Sequence, residues 1–171
     1  MNIFRQLLVQ AVLIFLNAFF AMTEIAVISL NATKLKRMAE EGDKTASKLL
    51  KLVEEPAGFL STIQIGITLA GFLGSAFAAD SFSAGLVNWI YNDLGFHLFS
   101  EKTLGTLSVI LITIILSYFT LVFGELVPKR IAMQKPLKMA RLSCGVVSSL
   151  ATVMKPVVRF LSFSTNAVLR L

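Results

Sequence analysis

Three long apolar runs, each able to cross a lipid bilayer, constrain the fold of this chain more than any other feature. They cover residues 7–30, 57–79 and 104–123, and a helix needs about 20 apolar residues to span the hydrocarbon core. The chain is 56% hydrophobic and 15% charged, whereas soluble domains average about 45–50% and about 25%. The sequence therefore predicts an all-α membrane protein, with residues 1–171 forming a single transmembrane domain.

A fourth apolar segment, residues 142–169, differs from these runs because Lys155, Pro156 and Arg159 interrupt it. A charge at the centre of a span costs about 2.5–3.5 kcal/mol on insertion scales, and proline interrupts a helix. We therefore interpret residues 129–169 as juxtamembrane helix, lying at the interface or packed against three transmembrane helices, and not as a fourth span.

Basic residues flank the runs in a pattern that predicts orientation. Six lie between the first two spans and five lie soon after the third, within residues 129–141, whereas residues 80–103, between spans two and three, contain only Lys102. Because Lys and Arg concentrate on the cytoplasmic side, we expect a multi-pass protein of the cytoplasmic membrane, with its N-terminus outside and its C-terminus inside. This placement, close to the apolar runs, also accounts for the net charge of +6 without a nucleic-acid partner. The lone Cys144 excludes an internal disulfide.

The connection between the first two spans is predicted to form two amphipathic juxtamembrane helices over residues 33–54. Asn31 or Thr33 can cap the first helix, Gly42 suits a left-handed turn after it, and Asp43 can cap the second, which ends before Pro56. In that second helix apolar and basic residues occupy opposite faces, as in helices that lie along a membrane surface. The outer connection should be partly helical and interfacial.

Polar side chains within the first span are candidates for function, because such groups are costly inside a membrane. Asn17, Ala21 and Glu24 fall at i, i+4 and i+7, on one helical face. Two interpretations stay open. In the first, Asn17 and Glu24 point into a cation site together; in the second, Asn17 makes an interhelical hydrogen bond while Glu24 reaches the inner surface.

The second span carries two further patterns. Gln64 and Thr68 share a face, and Gly66, Ala70 and Gly74 form a ladder of small residues. Close helix packing explains that ladder more readily than ligand contact. A backbone carbonyl exposed beside Gly66 would nevertheless suit a hard cation.

The segment from Gly124 to Lys129, Gly-Glu-Leu-Val-Pro-Lys, ends the third run. Pro128 lacks an N–H and clashes with the carbonyl four residues earlier, that of Gly124. A freed carbonyl beside the Glu125 carboxylate is a plausible cation cradle; the alternative is a helix stop with a charge pair at the interface. No phosphate loop, nucleophile elbow or histidine pair indicates an enzyme, and His97 is expected to be an ordinary surface residue.

These motifs together resemble the transmembrane domain of the CorC/CNNM magnesium transporters, also called the hemolysin C family. The resemblance covers nearly the whole chain. It is carried by residues 17–24 (NAFFAMTE), by residues 35–55 with the Glu41-Gly42-Asp43 turn, by residues 61–69 (STIQIGITL) and by residues 123–129 (FGELVPK).

The resemblance implies a homodimer with three spans per subunit and a cytoplasmic belt of juxtamembrane helices. It also implies Mg2+ as substrate in an inward-facing cavity and Na+ as the ion that drives export. By position, Glu125 supplies a carboxylate, Gly124 and Pro128 shape the broken helix, Gly66 offers a carbonyl, and Asn17 and Ala21 stand where relatives have serines. Paired nucleotide-binding CBS domains and a CorC-type domain are expected in a full-length chain but not within these residues, so we expect no nucleotide regulation here.

Two positions depart from the family pattern. Ile67 replaces a frequent asparagine, and Ala21 can offer only a carbonyl. Thr68 or Gln64, or retained water, would then complete the octahedral shell of Mg2+. The sequence therefore predicts a Mg2+ exporter whose cavity is lined by Asn17, Gly66, Thr68 and Glu125. Lys129 has a structural or gating role, and Glu24 is a candidate for the coupling ion or a proton.

Two other functions remain as alternatives. A non-transporting sensor or scaffold, regulating another transporter, would tolerate neutral substitutions at Glu125 and Asn17. A pore-forming cytolysin should have a removable signal or a water-soluble state, and the sequence indicates neither.

Overall fold

In the computed structural model, which describes residues 3–93, 95 and 100–169, the chain is helical almost throughout. The elements are α1 (Ile3–Ile28), α2 (Ala32–Glu40), α3 (Lys44–Glu54), α4 (Pro56–Asn88), a π turn (Trp89–Asp93), α5 (Glu101–Leu121), a second π turn (Val122–Leu126), α6 (Val127–Gln134) and α7 (Pro136–Leu169). The all-α prediction is confirmed for these residues. Phe96, His97 and Phe99 of the outer connection lie outside the described residues.

Within the described residues, four helical segments are long and apolar enough to cross a membrane: Ile3–Ile28, Pro56–Asp93, Glu101–Gln134 and Pro136–Leu169. The second of them is continuous through the first π turn. The three predicted spans lie in the first three segments. Large side chains along them, among them Phe15, Phe72 and Ile114, are exposed, as expected of surfaces solvated by lipid.

The last segment corrects one expectation. We predicted that Lys155-Pro156 would interrupt the helix, but α7 continues from Pro136 to Leu169 with Pro156 inside it. The missing N–H removes one hydrogen bond from a ladder of 34 residues, and the bonds on either side hold the helix together. By length and composition α7 could cross a membrane, so three spans per chain remains a prediction.

The chain divides into two compact units, and α1, α4 and the region after α5 each contribute to both. The first unit contains residues up to 18 and residues 68–127; the second contains residues 19–67 and those from 128 onward. In the second unit the buried core includes Leu35 of α2, Leu49 of α3, Ile63 of α4 and Val147 of α7. This core anchors the juxtamembrane helices to one another.

The turn between α2 and α3 follows the capping pattern predicted from the sequence. Asn31 caps α2, accepting a hydrogen bond from the backbone N–H of Lys34 at 3.0 Å, and Gly42 has a φ of 94°. Asp43 caps α3 by accepting from the N–H groups of Thr45 and Ala46, at 2.9 and 3.0 Å. Both predicted helices are therefore present, with Asn31 and not Thr33 as the first cap, and their position along the membrane surface stays a prediction.

Asp43 also binds α7, through the Arg141 guanidinium. The Ala46 N–H, followed by Arg141, lowers the pKa of the Asp43 carboxyl below its ordinary value, against an opposing effect of desolvation. One carboxylate thus caps α3 and ties it to α7 within the second unit.

Candidate functional site

The Gly124-Glu125 segment lies in the second π turn, Val122–Leu126, at the end of α5. The N–H of Val127 bonds to the carbonyl of Val122, five residues back, so the helix accommodates an extra residue here. Pro128 follows, and it has no N–H for the Gly124 carbonyl. π turns of this kind occur frequently at functional sites.

Asn17 of α1 fills the gap that Pro128 leaves. Its Nδ2 donates to the Gly124 carbonyl at 3.1 Å, in a buried position, and the Asn17 side chain is only 4% exposed. A Cβ on residue 124 would lie 3.1 Å from that Nδ2 and 3.4 Å from the Ile14 carbonyl. Any other residue would therefore require the Asn17 amide to move by a few tenths of an ångström, and the structure brings Asn17 and Gly124 together within the first unit.

The other polar atom of Asn17 is unusual. Its Oδ1 is buried and has no hydrogen-bond partner among the described residues. Leaving a buried acceptor unsatisfied costs about 1–3 kcal/mol, and such atoms are rare in folded proteins. An unoccupied amide oxygen next to Gly124-Glu125 is a ready ligand for a hard cation.

Glu125 lines a cavity of about 350 Å³ in the first unit. The polar residues around it that the sequence analysis did not single out are Gln10, Ser75, Thr113, Ser117 and Thr120. A signal for them does exist in the sequence: Gln10 lies seven residues before Asn17, and Thr113, Ser117 and Thr120 fall at i, i+4 and i+7. These hydroxyls were overlooked because Ser and Thr occur commonly within membrane helices.

Gly66 belongs to the second unit, where it packs against Phe20. A Cβ at position 66 would lie 2.7–2.9 Å from three atoms of the Phe20 ring, which no folded structure tolerates without movement. This supports close packing as one role of the glycine, and its carbonyl as a ligand stays a prediction. Ala21 is fully buried, and Gln64 and Thr68 lie on exposed positions of α4.

Glu24 and Lys129 form an ion pair within the second unit, with 3.6 Å between Oε2 and Nζ and about a quarter of each side chain exposed. The pair joins α1 to α6. Glu24 therefore contacts a basic residue instead of only extending toward the membrane surface. Pro128, adjacent to Lys129, is buried.

The described residues contain no group of three or more His, Cys, Asp or Glu side chains placed to hold a metal ion together. A cation bound near Gly124 would instead rely on one carboxylate and on neutral amide, carbonyl and hydroxyl oxygens. Such sets suit ions that retain water.

Comparison with known proteins identifies the family of this chain. Residues 8–171 match the family described as the CNNM, or Cyclin M, transmembrane N-terminal domain. The chain is 38% identical over 163 residues to a UPF0053 protein of Synechocystis sp., covering 94% of this chain and 35% of that protein.

Two further relatives come from other bacteria. A polyamine export protein of Haemophilus influenzae is 29% identical over 171 residues, covering 100% of this chain and 38% of that protein. A UPF0053 inner membrane protein of Escherichia coli is 29% identical over 157 residues, covering 91% and 32%. The chain thus spans about a third of the length of these relatives, within the part that matches a transmembrane domain. It belongs to the CNNM family, as a multi-pass membrane domain of the Cyclin M transmembrane type.

Proposed function

We propose that this domain transports Mg2+ across the cytoplasmic membrane, exporting it in exchange for Na+. The observation that carries the proposal is the buried Oδ1 of Asn17, which has no partner in the described part of the chain and lies on the residue that binds the Gly124 carbonyl. The E. coli relative is named an inner membrane protein, which supports the choice of membrane.

A purely structural role for Asn17 accounts for only one of the two polar atoms of its side chain, the Nδ2. Its Nδ2 satisfies the Gly124 carbonyl, as an interhelical hydrogen bond would. The Oδ1 gains nothing from that contact, and its burial is unfavourable unless something binds it. A cation that enters between α1 and the π turn would supply the missing partner.

The residues present fit Mg2+ as a transported ion. Mg2+ gives up water reluctantly and is usually held by one or two carboxylates while it keeps several waters. Glu125 supplies the carboxylate and Asn17 an amide oxygen, and water completes the shell. Weak, partly hydrated binding also allows release, which transport requires.

The remaining parts of the proposal follow the family pattern. By that pattern alone, Gly66 and Thr68 stay candidates for oxygen ligands. Glu24, paired with Lys129, would exchange that partner for the coupling ion or a proton. The domain would work as a homodimer. CBS domains would regulate the full-length protein, since the relatives are about three times as long as this chain.

A polyamine is the second candidate substrate. The Haemophilus relative is named a polyamine export protein, and the cavity beside Glu125 presents hydroxyl acceptors on α4 and α5 and the amide of Gln10 on α1. Ammonium groups need acceptors of this kind and a compensating carboxylate. A non-transporting sensor is the remaining alternative, supported by the absence of a multi-carboxylate site among the described residues.

Flux measurements in proteoliposomes test the proposal. Mg2+ efflux is recorded with a fluorescent indicator, with and without an opposing Na+ gradient, for the wild type and for Glu125→Gln. The control Glu101→Gln makes the same change in the first turn of α5, outside the cavity that Glu125 lines. We expect Na+-dependent flux in the wild type and the control, and a loss of at least about tenfold in Glu125→Gln, since a charge-assisted contact contributes about 1.5–3 kcal/mol.

Three other results would redirect the interpretation. Equal leak from wild type and Glu125→Gln would contradict transport by this domain and favour the sensor. Efflux of a radiolabelled diamine that Glu125→Gln abolishes, without Mg2+ flux, would identify an amine as the substrate. Mg2+ flux that ignores the Na+ gradient would refute the coupling alone.

A further inference from the structure

A second buried amide on α1 is left incomplete in the same way as Asn17. Gln10 is 5% exposed, and its Oε1 has no hydrogen-bond partner in the described ranges of the chain. Seven residues separate Gln10 from Asn17, which places the two side chains on one face of α1, about 10.5 Å apart along its axis. Two unsatisfied amide oxygens therefore mark two positions along one helix face.

The surroundings of Gln10 are rich in neutral oxygen. The cavity of about 350 Å³ that it lines has Ser75 of α4 on one wall and Thr113, Ser117 and Thr120 of α5 on another. Gly74 of α4 brings the backbone close to Gln10, because a Cβ there would lie 3.4 Å from the Gln10 Nε2. All of these residues belong to the first unit, so the cavity is formed within one compact part of the protein.

Charge balance indicates what this cavity can hold. Among the described residues that line it, Glu125 carries the one formal charge. One carboxylate balances the charge of a monovalent cation fully, whereas a divalent ion beside it would have to keep much of its water, as proposed for Mg2+ at Asn17. Hydroxyl and amide oxygens are hard ligands, suited to alkali cations in the same way as to other hard ions.

We propose that Gln10, with the hydroxyls of Ser75, Ser117 and neighbouring threonines, forms a second cation site that binds a monovalent alkali ion, separate from the site at Asn17. The binding site itself does not depend on transport. Only the idea that this site binds the coupling ion during transport rests on the proposed function. The two sites differ in their neutral ligands but share the Glu125 carboxylate, so the two cations would compete for that one negative charge.

Ion-dependent stability of the purified protein tests the site without any flux measurement. Thermal unfolding in detergent is followed while NaCl is titrated against N-methyl-D-glucamine chloride at constant ionic strength. We expect Na+ to stabilise the wild type, since a ligand that binds only the folded state raises its stability. Gln10→Leu should weaken the apparent Na+ affinity at least about tenfold, because an ion–oxygen contact is stronger than a neutral hydrogen bond.

Gln6→Leu is the matched control, because it makes the same change four residues earlier on α1, at a residue that does not line this cavity. It should titrate with Na+ as the wild type does. If Gln10→Leu does not fold, the double variant Ser75→Ala/Ser117→Ala removes two hydroxyls at exposed positions and should show the same loss. Equilibrium binding of radioactive Na+ to the same samples gives an independent measurement.

The proposal is overturned if Na+ and N-methyl-D-glucamine stabilise the wild type equally, or if the cavity variants keep wild-type Na+ affinity. Failure of the proposed function would look different. In that case Na+ binding would depend on Gln10 as described, while proteoliposomes would show no Mg2+ flux.

Discussion

The hydrogen bond between Asn17 and Gly124 makes a quantitative prediction about stability. The structure explains it by Pro128, which has no N–H to donate to the Gly124 carbonyl, so that the Asn17 Nδ2 donates instead at 3.1 Å. If this is correct, Asn17 should matter less once a backbone N–H is restored at position 128. The substitution Pro128→Ala restores it.

The magnitude follows from the environment of the bond. Interhelical hydrogen bonds in membrane proteins contribute on average about 0.6 kcal/mol and at most about 1.7 kcal/mol, while an orphaned buried carbonyl costs about 1–3 kcal/mol. The Asn17 side chain is 4% exposed, so water cannot easily replace it. We therefore expect a coupling energy of about 1–1.5 kcal/mol between positions 17 and 128.

A double-mutant cycle measures this coupling directly. Unfolding free energies are determined in bicelles for the wild type, Asn17→Ala, Pro128→Ala and the double variant. Asn17→Ala alone combines three effects: a small cavity, loss of the Gly124 contact and release of the unsatisfied Oδ1. The first and third effects occur in both backgrounds, so the cycle cancels them and isolates the hydrogen bond.

The double-mutant cycle can also refute this explanation of the hydrogen bond. If Asn17→Ala costs as much in the Pro128→Ala background as in the wild type, the Gly124 carbonyl does not depend on Asn17 for the reason given. The explanation of why Asn17 is buried would then be wrong, and with it the main structural argument for the cation site.

Two further predictions concern the second unit. Gly66→Ala should destabilise the protein by about 1–3 kcal/mol, because the new methyl would lie 2.7 Å from the Phe20 ring. The control Gly58→Ala, on the same helix, should not, because a methyl at that position would have no neighbouring atom within 4 Å. Equal unfolding midpoints for the two variants would contradict the close packing of Gly66 against Phe20. Folding lowers the pKa of the Asp43 carboxyl. The ionised carboxylate therefore stabilises the protein fully when the pH lies above the pKa that Asp43 has in the unfolded state. This stabilisation is lost as the pH falls through the lower pKa of the folded state. Acid titration below about pH 4 should therefore destabilise the wild type more than Asp43→Asn, which keeps the cap but cannot ionise. Parallel curves of unfolding free energy against pH for the two proteins would refute this. Arg141→Gln should show a smaller acid dependence than the wild type.

Local chemistry explains what the sequence could predict. The caps at Asn31 and Asp43 and the left-handed Gly42 are set by residues within a few positions of one another, so they can be recognised without tertiary information. The same holds for the freed carbonyl of Gly124, which depends only on Pro128 four residues later.

Pairings across the fold could not be obtained in this way. That Asn17 satisfies Gly124, 107 residues away, follows from helix packing, and no spacing rule contains it. The cavity at Gln10 likewise requires α1, α4 and α5 to be placed together. At Pro156 a local rule gave the wrong prediction. Proline usually interrupts a helix, but the 34-residue helix α7 continues through this one.

The second π turn also has a consequence for how insertions and deletions act on this chain. Between Val122 and Leu126 the helix holds one residue more than an α-helix would, and one residue corresponds to about 100° of helical rotation. Deleting a single residue there would close the turn into ordinary α-helix with little rotation of the residues after it, because the turn already absorbs that residue. The same deletion in the ordinary α-helical part would turn the residues after it by about 100°. Loops usually tolerate a change of length, and the π turn gives this continuous helix one position where losing a residue should be tolerated in the same way.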